Sequence, residues 1–156
     1  MATLKEQFAA AATITMSLAS LASGSWWQSA FIDNSTNVYL DAFVQMKVKT
    51  GATAAGTVDF WLYASMDGGT SYSDGASGSD ATFTPTATPN LVHLGTVNTP
   101  TATTSYTSAH FSVAAAFGGS VPQRWGLAAK NTNGGALDAT GTNFVLQYQG
   151  LTYLSA

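Results

Sequence analysis

A chain of 156 residues with 46% hydrophobic residues is long enough for one domain with a sizeable buried core. Charged residues make up only 8%, against about 25% in ordinary globular chains, and the net charge is −3. Lys5, Lys47, Lys49, Arg124 and Lys130 are scattered, so no basic stripe is available to neutralise phosphates. The absence of cysteine excludes a disulfide framework, a thiolate nucleophile and a zinc knuckle.

In chain order, residues 1–12 are Ala-rich and are expected to form a short N-terminal arm or helix ahead of a domain over 13–156. The run Phe8 to Leu21 has the apolar character of a secretory signal, but Glu6 stands in its charged region and Thr13, Thr15 and Ser17 interrupt it by alternation. A signal peptide is therefore not expected. No stretch is long and apolar enough to predict a membrane-spanning helix. Thr13 to Leu18 reads as a strand with Ile14, Met16 and Leu18 inward.

A strand is next expected over Trp27 to Ile32, with Trp26 and Trp27 adjacent at its start. Successive strand side chains point to opposite faces. One tryptophan therefore enters the core, and the other needs a second layer, a neighbouring subunit or a ligand. Val38 to Lys49 is the clearest strand, with Val38, Leu40, Ala42, Val44, Met46 and Val48 on one face. Val58 to Ser65 carries aromatics on both faces and is expected to be covered on two sides.

Met66 to Pro89 is rich in turn dipeptides and reads as a long loop of the kind that often carries binding. Further strands are expected over Leu91 to Val97, Tyr106 to Val113, Arg124 to Asn131 and Asn143 to Tyr153. The total of about eight predicts an all-β, single-domain, jelly-roll-like β-sandwich.

Catalytic patterns are lacking. No G-x-S-x-G elbow is present. Asp33, Asp41, Asp59 and Asp138 offer no spacing that selects a glycosidase pair. Asp67, Asp74 and Asp80 invite a calcium site, but they lack the EF-hand order, and Asp-Gly turn chemistry explains them more simply. His93 and His110 fall in separate predicted strands without a third ligand. Neither an enzyme nor a cofactor is expected. Among the aromatics, Trp61 and Trp125 are expected in the core.

Several segments together carry a resemblance: Ser17 to Ser25 (SLASLASGS), Gln28 to Asn37 (QSAFIDNSTN), Val38 to Lys49, Trp61 to Gly69 (WLYASMDGG), Phe117 to Gly126 (FGGSVPQRWG) and Phe144 to Leu154. This layout resembles the jelly-roll capsid decoration, or cement, proteins of tailed bacteriophages. The resemblance implies a structural protein on the capsid exterior, assembled in the bacterial cytoplasm, with the major capsid protein as partner and a homotrimer as its state. Leu4, Lys5 and Phe8 are then expected to contact the capsid lattice, and Trp26 and Trp27 to form the subunit interface. A low-charge surface covered by partners fits this reading. The alternative is a glycan-binding module of a head fibre or tail, with Trp26, Trp27, Tyr72 and Asp74 as the sugar platform.

Overall fold

The strictest alternation in the sequence builds the middle of one sheet. Over Asp41–Lys49, Ala42, Val44, Met46 and Val48 are buried while the residues between them are partly exposed. The computed structural model describes residues 4–53 and 55–155. Among these, twelve strands form. The first four are β1 (Leu4–Phe8), β2 (Ala12–Thr13), β3 (Trp26–Gln28) and β4 (Ile32–Asp33). Two long strands follow, β5 (Asp41–Lys49) and β6 (Gly56–Ser65), then β7 (Ala81–Phe83) and β8 (Val92–Thr99). The last four are β9 (Ser105–Thr107), β10 (Phe111–Ser112), β11 (Arg124–Asn131) and β12 (Val145–Ser155).

The strands form two antiparallel six-stranded sheets packed as a jelly-roll-like sandwich. The first has the order β1-β12-β5-β10, with β2 also pairing β12 and β9 pairing β5. The second has the order β7-β3-β11-β6-β8, with β4 also on β11. Between them lies one core. Val44, Met46, Val48 and Leu146 of the first sheet face Val58, Phe60, Leu62, Trp125 and Leu127 of the second. Ile14, Met16 and Leu18 close it, although the segment pairs as a strand only at β2.

Several expectations need correction. The N-terminal residues are extended rather than helical, because Leu4–Phe8 pairs with Leu151–Ser155. Val38 and Leu40 are exposed at 66% and 49% rather than inward. Asn34 causes this: its side chain accepts from the Tyr39 amide at 2.8 Å and donates to the Tyr39 carbonyl at 3.1 Å. Its carbonyl also holds the Val38 amide, forming a turn with Val38 at a φ of 50°, so regular pairing waits until Asp41. The expected strand over Tyr106 to Val113 divides into β9, β10 and a helical turn, α1 (Val113–Ala116). Ser112 caps that turn by accepting from the Ala115 amide at 2.9 Å, and the Asp41 carboxylate accepts from the Ala114 amide.

Candidate functional site

The outer face of the second sheet is closed by the chain itself. Tyr63, Ala76, Phe83, Leu91 and Ala128 form a second buried cluster, with Trp26, Trp61 and Tyr72 packed against it. The segment between β6 and β8 is therefore a third layer rather than an open loop. Gly126 is required beneath it, since a Cβ there would stand 2.3 Å from the Tyr63 ring. The Tyr63 hydroxyl donates to the Ser29 carbonyl at 2.7 Å, and burial pushes the phenol well above its ordinary range.

The adjacent tryptophans divide between these layers. Trp27 packs against the central core, and its Nε1–H donates to Asp80 Oδ1 at 2.6 Å. Trp26 turns outward, 4.7 Å from the Trp61 ring, edge-on to Phe83 and 5.5 Å from Lys130 Nζ. Both find partners within the chain, so neither needs a second subunit for shelter. Trp61 also departs from expectation: Phe60 and Leu62 take the core face, which turns Trp61 into the outer layer. Trp125 is core, at 1% exposure.

The expected sugar platform is drawn into the same layer. Tyr72 lies edge-on to Tyr63 and 6.3 Å from Phe31. Asp74 accepts from the Ala87 amide at 2.9 Å and from Asn90. Asp67 accepts from Ser65 at 2.7 Å and from both the hydroxyl and amide of Ser71, which hold its carboxyl well below the usual range. Asp80 accepts from the Ser17 amide at 2.8 Å, its hydroxyl at 2.6 Å and Trp27. Each aspartate serves its own turn or tie. No cluster of three metal-ligating side chains forms among the described residues.

Asp80 links the third layer to the segment before β3, and its titration is a measurable consequence. Burial raises its pKa, but the bonds from Ser17 and Trp27 together outweigh this and lower it. The folded state then holds the proton less tightly than the unfolded chain. The stabilisation is complete above the unfolded value of about 3.9 and is lost as pH falls through the lower folded value. Asp80→Asn replaces one acceptor with a donor and is expected to cost about 1–2 kcal/mol at pH 7. Its melting temperature should fall less than the wild type's on going from pH 5 to 2, by calorimetry.

The other titratable residues are dispersed. His93 is exposed, edge-on to Trp61, with Nε2 3.3 Å from Thr96 Oγ1, and His110 is exposed just before β10. Asp33 pairs with Arg124 and Asp138 with Lys49, each at 3.4 Å. Bonds from Asn143 and the Thr140 amide, aided by Lys49, lower Asp138 to about 2. Asp41 and Asp59 are occupied by Ser112 and Thr96.

The open surface lies at the opposite edge. β12 pairs with β5 only as far as Leu151 opposite Asp41, but continues with β1 as its partner through Ser155 opposite Leu4. The result is a two-stranded ribbon extending past the first sheet. Every residue of β1 is exposed. The pairing places Leu4, Phe8, Leu151 and Tyr153 on one face, and Lys5 with Leu154 on the other. Leu4 is 70% exposed, and Phe8, Tyr153 and Leu154 are about half exposed. The Leu40 amide donates to the Leu151 carbonyl at 2.9 Å, which sets exposed Leu40 at the ribbon's base. Leu4, Lys5 and Phe8 are thus brought together, joined by Tyr153, Leu154 and Leu40. The register between the two chain ends reveals Tyr153 and Leu154, and the backbone bond to Leu151 reveals Leu40.

No protein-family model matches the chain, and no curated protein does.

Proposed function

We propose that the chain is a structural protein of a tailed-phage virion that decorates the outside of the major capsid lattice and docks through the β1–β12 ribbon. The observation that carries this reading is the apolar exposure on both faces of that ribbon. A two-stranded ribbon is marginal in water by itself, and the outer edge of β1 carries unpaired backbone groups suited to adding a further strand. Lys5 and Glu6 are the only charges on this edge strand, which leaves Leu4 and Phe8 to provide the contact. The resemblance in layout and the low charge of the chain support the same reading.

The mechanism is thermodynamic. A ligand that binds only the assembled lattice stabilises it by mass action. In the homotrimer that the resemblance implies, three ribbons would engage neighbouring capsid subunits at once, multiplying a modest single contact. Trp26 and Trp27 are not assigned to that interface, since both are engaged internally.

Deletion of residues 1–8 tests the proposal. No residue of β1 is buried, so the circular dichroism spectrum and melting transition of the sandwich should persist. Co-sedimentation with capsids lacking the protein should be abolished. Binding retained by the deletion variant refutes docking through the ribbon. Quantitative mass spectrometry of virions should give near parity with the major capsid protein, and a few copies per particle would refute lattice decoration.

A further inference from the structure

We infer that the outer face of the first sheet carries a binding site for an uncharged oligosaccharide. A groove of about 370 Å³ lies there, within the range of about 300–1,000 Å³ typical of ligand sites. Its floor is a two-by-two array on β5 and β12, where Gln147 stands opposite Gln45 and Gln149 opposite Phe43. Phe8 and Ala11 bound one side and His110 the other.

The chemistry of this lining selects the ligand. Among the described residues no aspartate, glutamate, lysine or arginine borders the groove and His110 stands only at its rim, so the floor carries no charge to compensate the desolvation of an ionic ligand. Each glutamine amide offers both a donor and an acceptor, matching hydroxyl groups that also do both. The amides are only partly engaged. Gln147 Nε2 is 3.5 Å from Gln45 Oε1, and Gln45 Nε2 is 3.4 Å from the Ser108 carbonyl, at the limit of hydrogen bonding. Gln149 Nε2 donates to the Ala9 carbonyl at 2.9 Å, which fixes the side chain while leaving Oε1 available. The Phe8 and Phe43 rings, 6.0 Å apart and inclined at 48°, supply an apolar surface for the C–H face of a pyranose. A hydrocarbon ligand would leave the glutamine amides without partners, and the floor of the groove offers an anionic ligand no counter-charge.

This site is separate from the recess beside Trp26, which is flanked by Ser25, Thr82, Phe83 and Thr84. It overlaps the docking ribbon only at Phe8, since Leu4, Tyr153 and Leu154 take no part in the groove.

Saturation-transfer NMR on the full chain tests the inference, with cellobiose, maltotriose and N,N′-diacetylchitobiose as uncharged probes and 3′-sialyllactose as the charged one. At least one uncharged probe should receive magnetisation at its ring C–H protons. Its affinity should weaken roughly tenfold or more in Gln147→Leu and in Phe43→Ala, with native circular dichroism in both, and be unchanged in Trp26→Ala. No transfer to any uncharged probe at concentrations on the order of millimolar overturns the inference. Preference for sialyllactose, or loss in Trp26→Ala with the groove variants unaffected, overturns it equally. Capsid co-sedimentation by Gln147→Leu should remain at the wild-type level, so failure of the glycan site and failure of the docking reading are told apart.

Discussion

Trp125→Ala is expected to destabilise the chain by about 3–5 kcal/mol, the usual range for deleting a buried large aromatic. Trp125 lies on β11, between β6 on one side and β4 on the other, and is 1% exposed. Its ring meets Tyr148 of the opposite sheet edge-on at 5.6 Å, so it spans the space between the two layers. Neither sheet can close over the void, because strands in register on both sides hold the β11 backbone. For a chain of this length, such a loss lowers the melting temperature by about 10 °C or more. Trp61→Ala provides the contrast. Trp61 is half-buried in the outer layer, and its truncation is expected to cost on the order of 1–2 kcal/mol. Calorimetry of the two variants measures the difference. Equal losses would refute the assignment of Trp61 to a subsidiary layer.

The same contrast shows what the sequence could and could not reveal. β11 was legible to its bounds, the inward face of β5 from Ala42 onward was legible from alternation, and the covering of β6 on two sides was legible from its aromatics. Trp125 and Trp61 were expected in the core on the same ground, a place within a strand, and only Trp125 is there. The environment of Trp61 depends on residues 66–91 folding back over the sheet, and their glycine-rich turns give no sign of a destination. β7 escaped for the same reason, being three residues long and paired only with β3. Val38 and Leu40 continued the alternation, but the side chain of Asn34 imposed a turn that no periodicity records.

The candidate site was legible in half. Leu4, Lys5 and Phe8 were expected at a contact surface only through the resemblance to capsid decoration proteins, which implies a docking role for the N-terminal arm. Tyr153 and Leu154 looked like the ordinary end of a strand. Their exposure follows from β12 outrunning β5, a matter of strand length and register between opposite ends of the chain. The glutamine array was silent for the same reason. Gln45, Gln147 and Gln149 are unremarkable singly, and the register alone places them side by side.

The second large effect is expected at Asn131, which is fully buried. Its Nδ2 donates to the carbonyls of Leu21 at 2.8 Å and Gly135 at 2.9 Å. Its Oδ1 accepts from the amide and the side chain of Asn133, at 3.0 and 2.9 Å. Asn133 in turn donates to the Thr57 carbonyl at 3.1 Å and accepts from Thr99 at 2.7 Å. One side chain thus joins the turn after β11 to the segment before β3 and, through Asn133, to the start of β6 and the end of β8. Asn131→Leu keeps the branched shape but strands the Gly135 carbonyl and the Asn133 backbone amide, while the Leu21 carbonyl retains the Leu137 amide and the Asn133 side chain retains the Thr57 carbonyl. At about 1–3 kcal/mol per orphaned group, and with a bulkier side chain to fit, the loss should be on the order of 3–5 kcal/mol. Asn131→Asp separates hydrogen bonding from packing. The carboxylate still accepts from Asn133 but faces the Leu21 and Gly135 carbonyls, which favour the protonated form and raise its folded pKa above the unfolded value. The folded state then binds the proton more tightly, so the variant's deficit should shrink as pH falls from 7 towards 4. Thermal melts of both variants across that range measure it. A deficit independent of pH would mean that the carboxylate stays ionised and hydrated, and that this corner of the sandwich admits water.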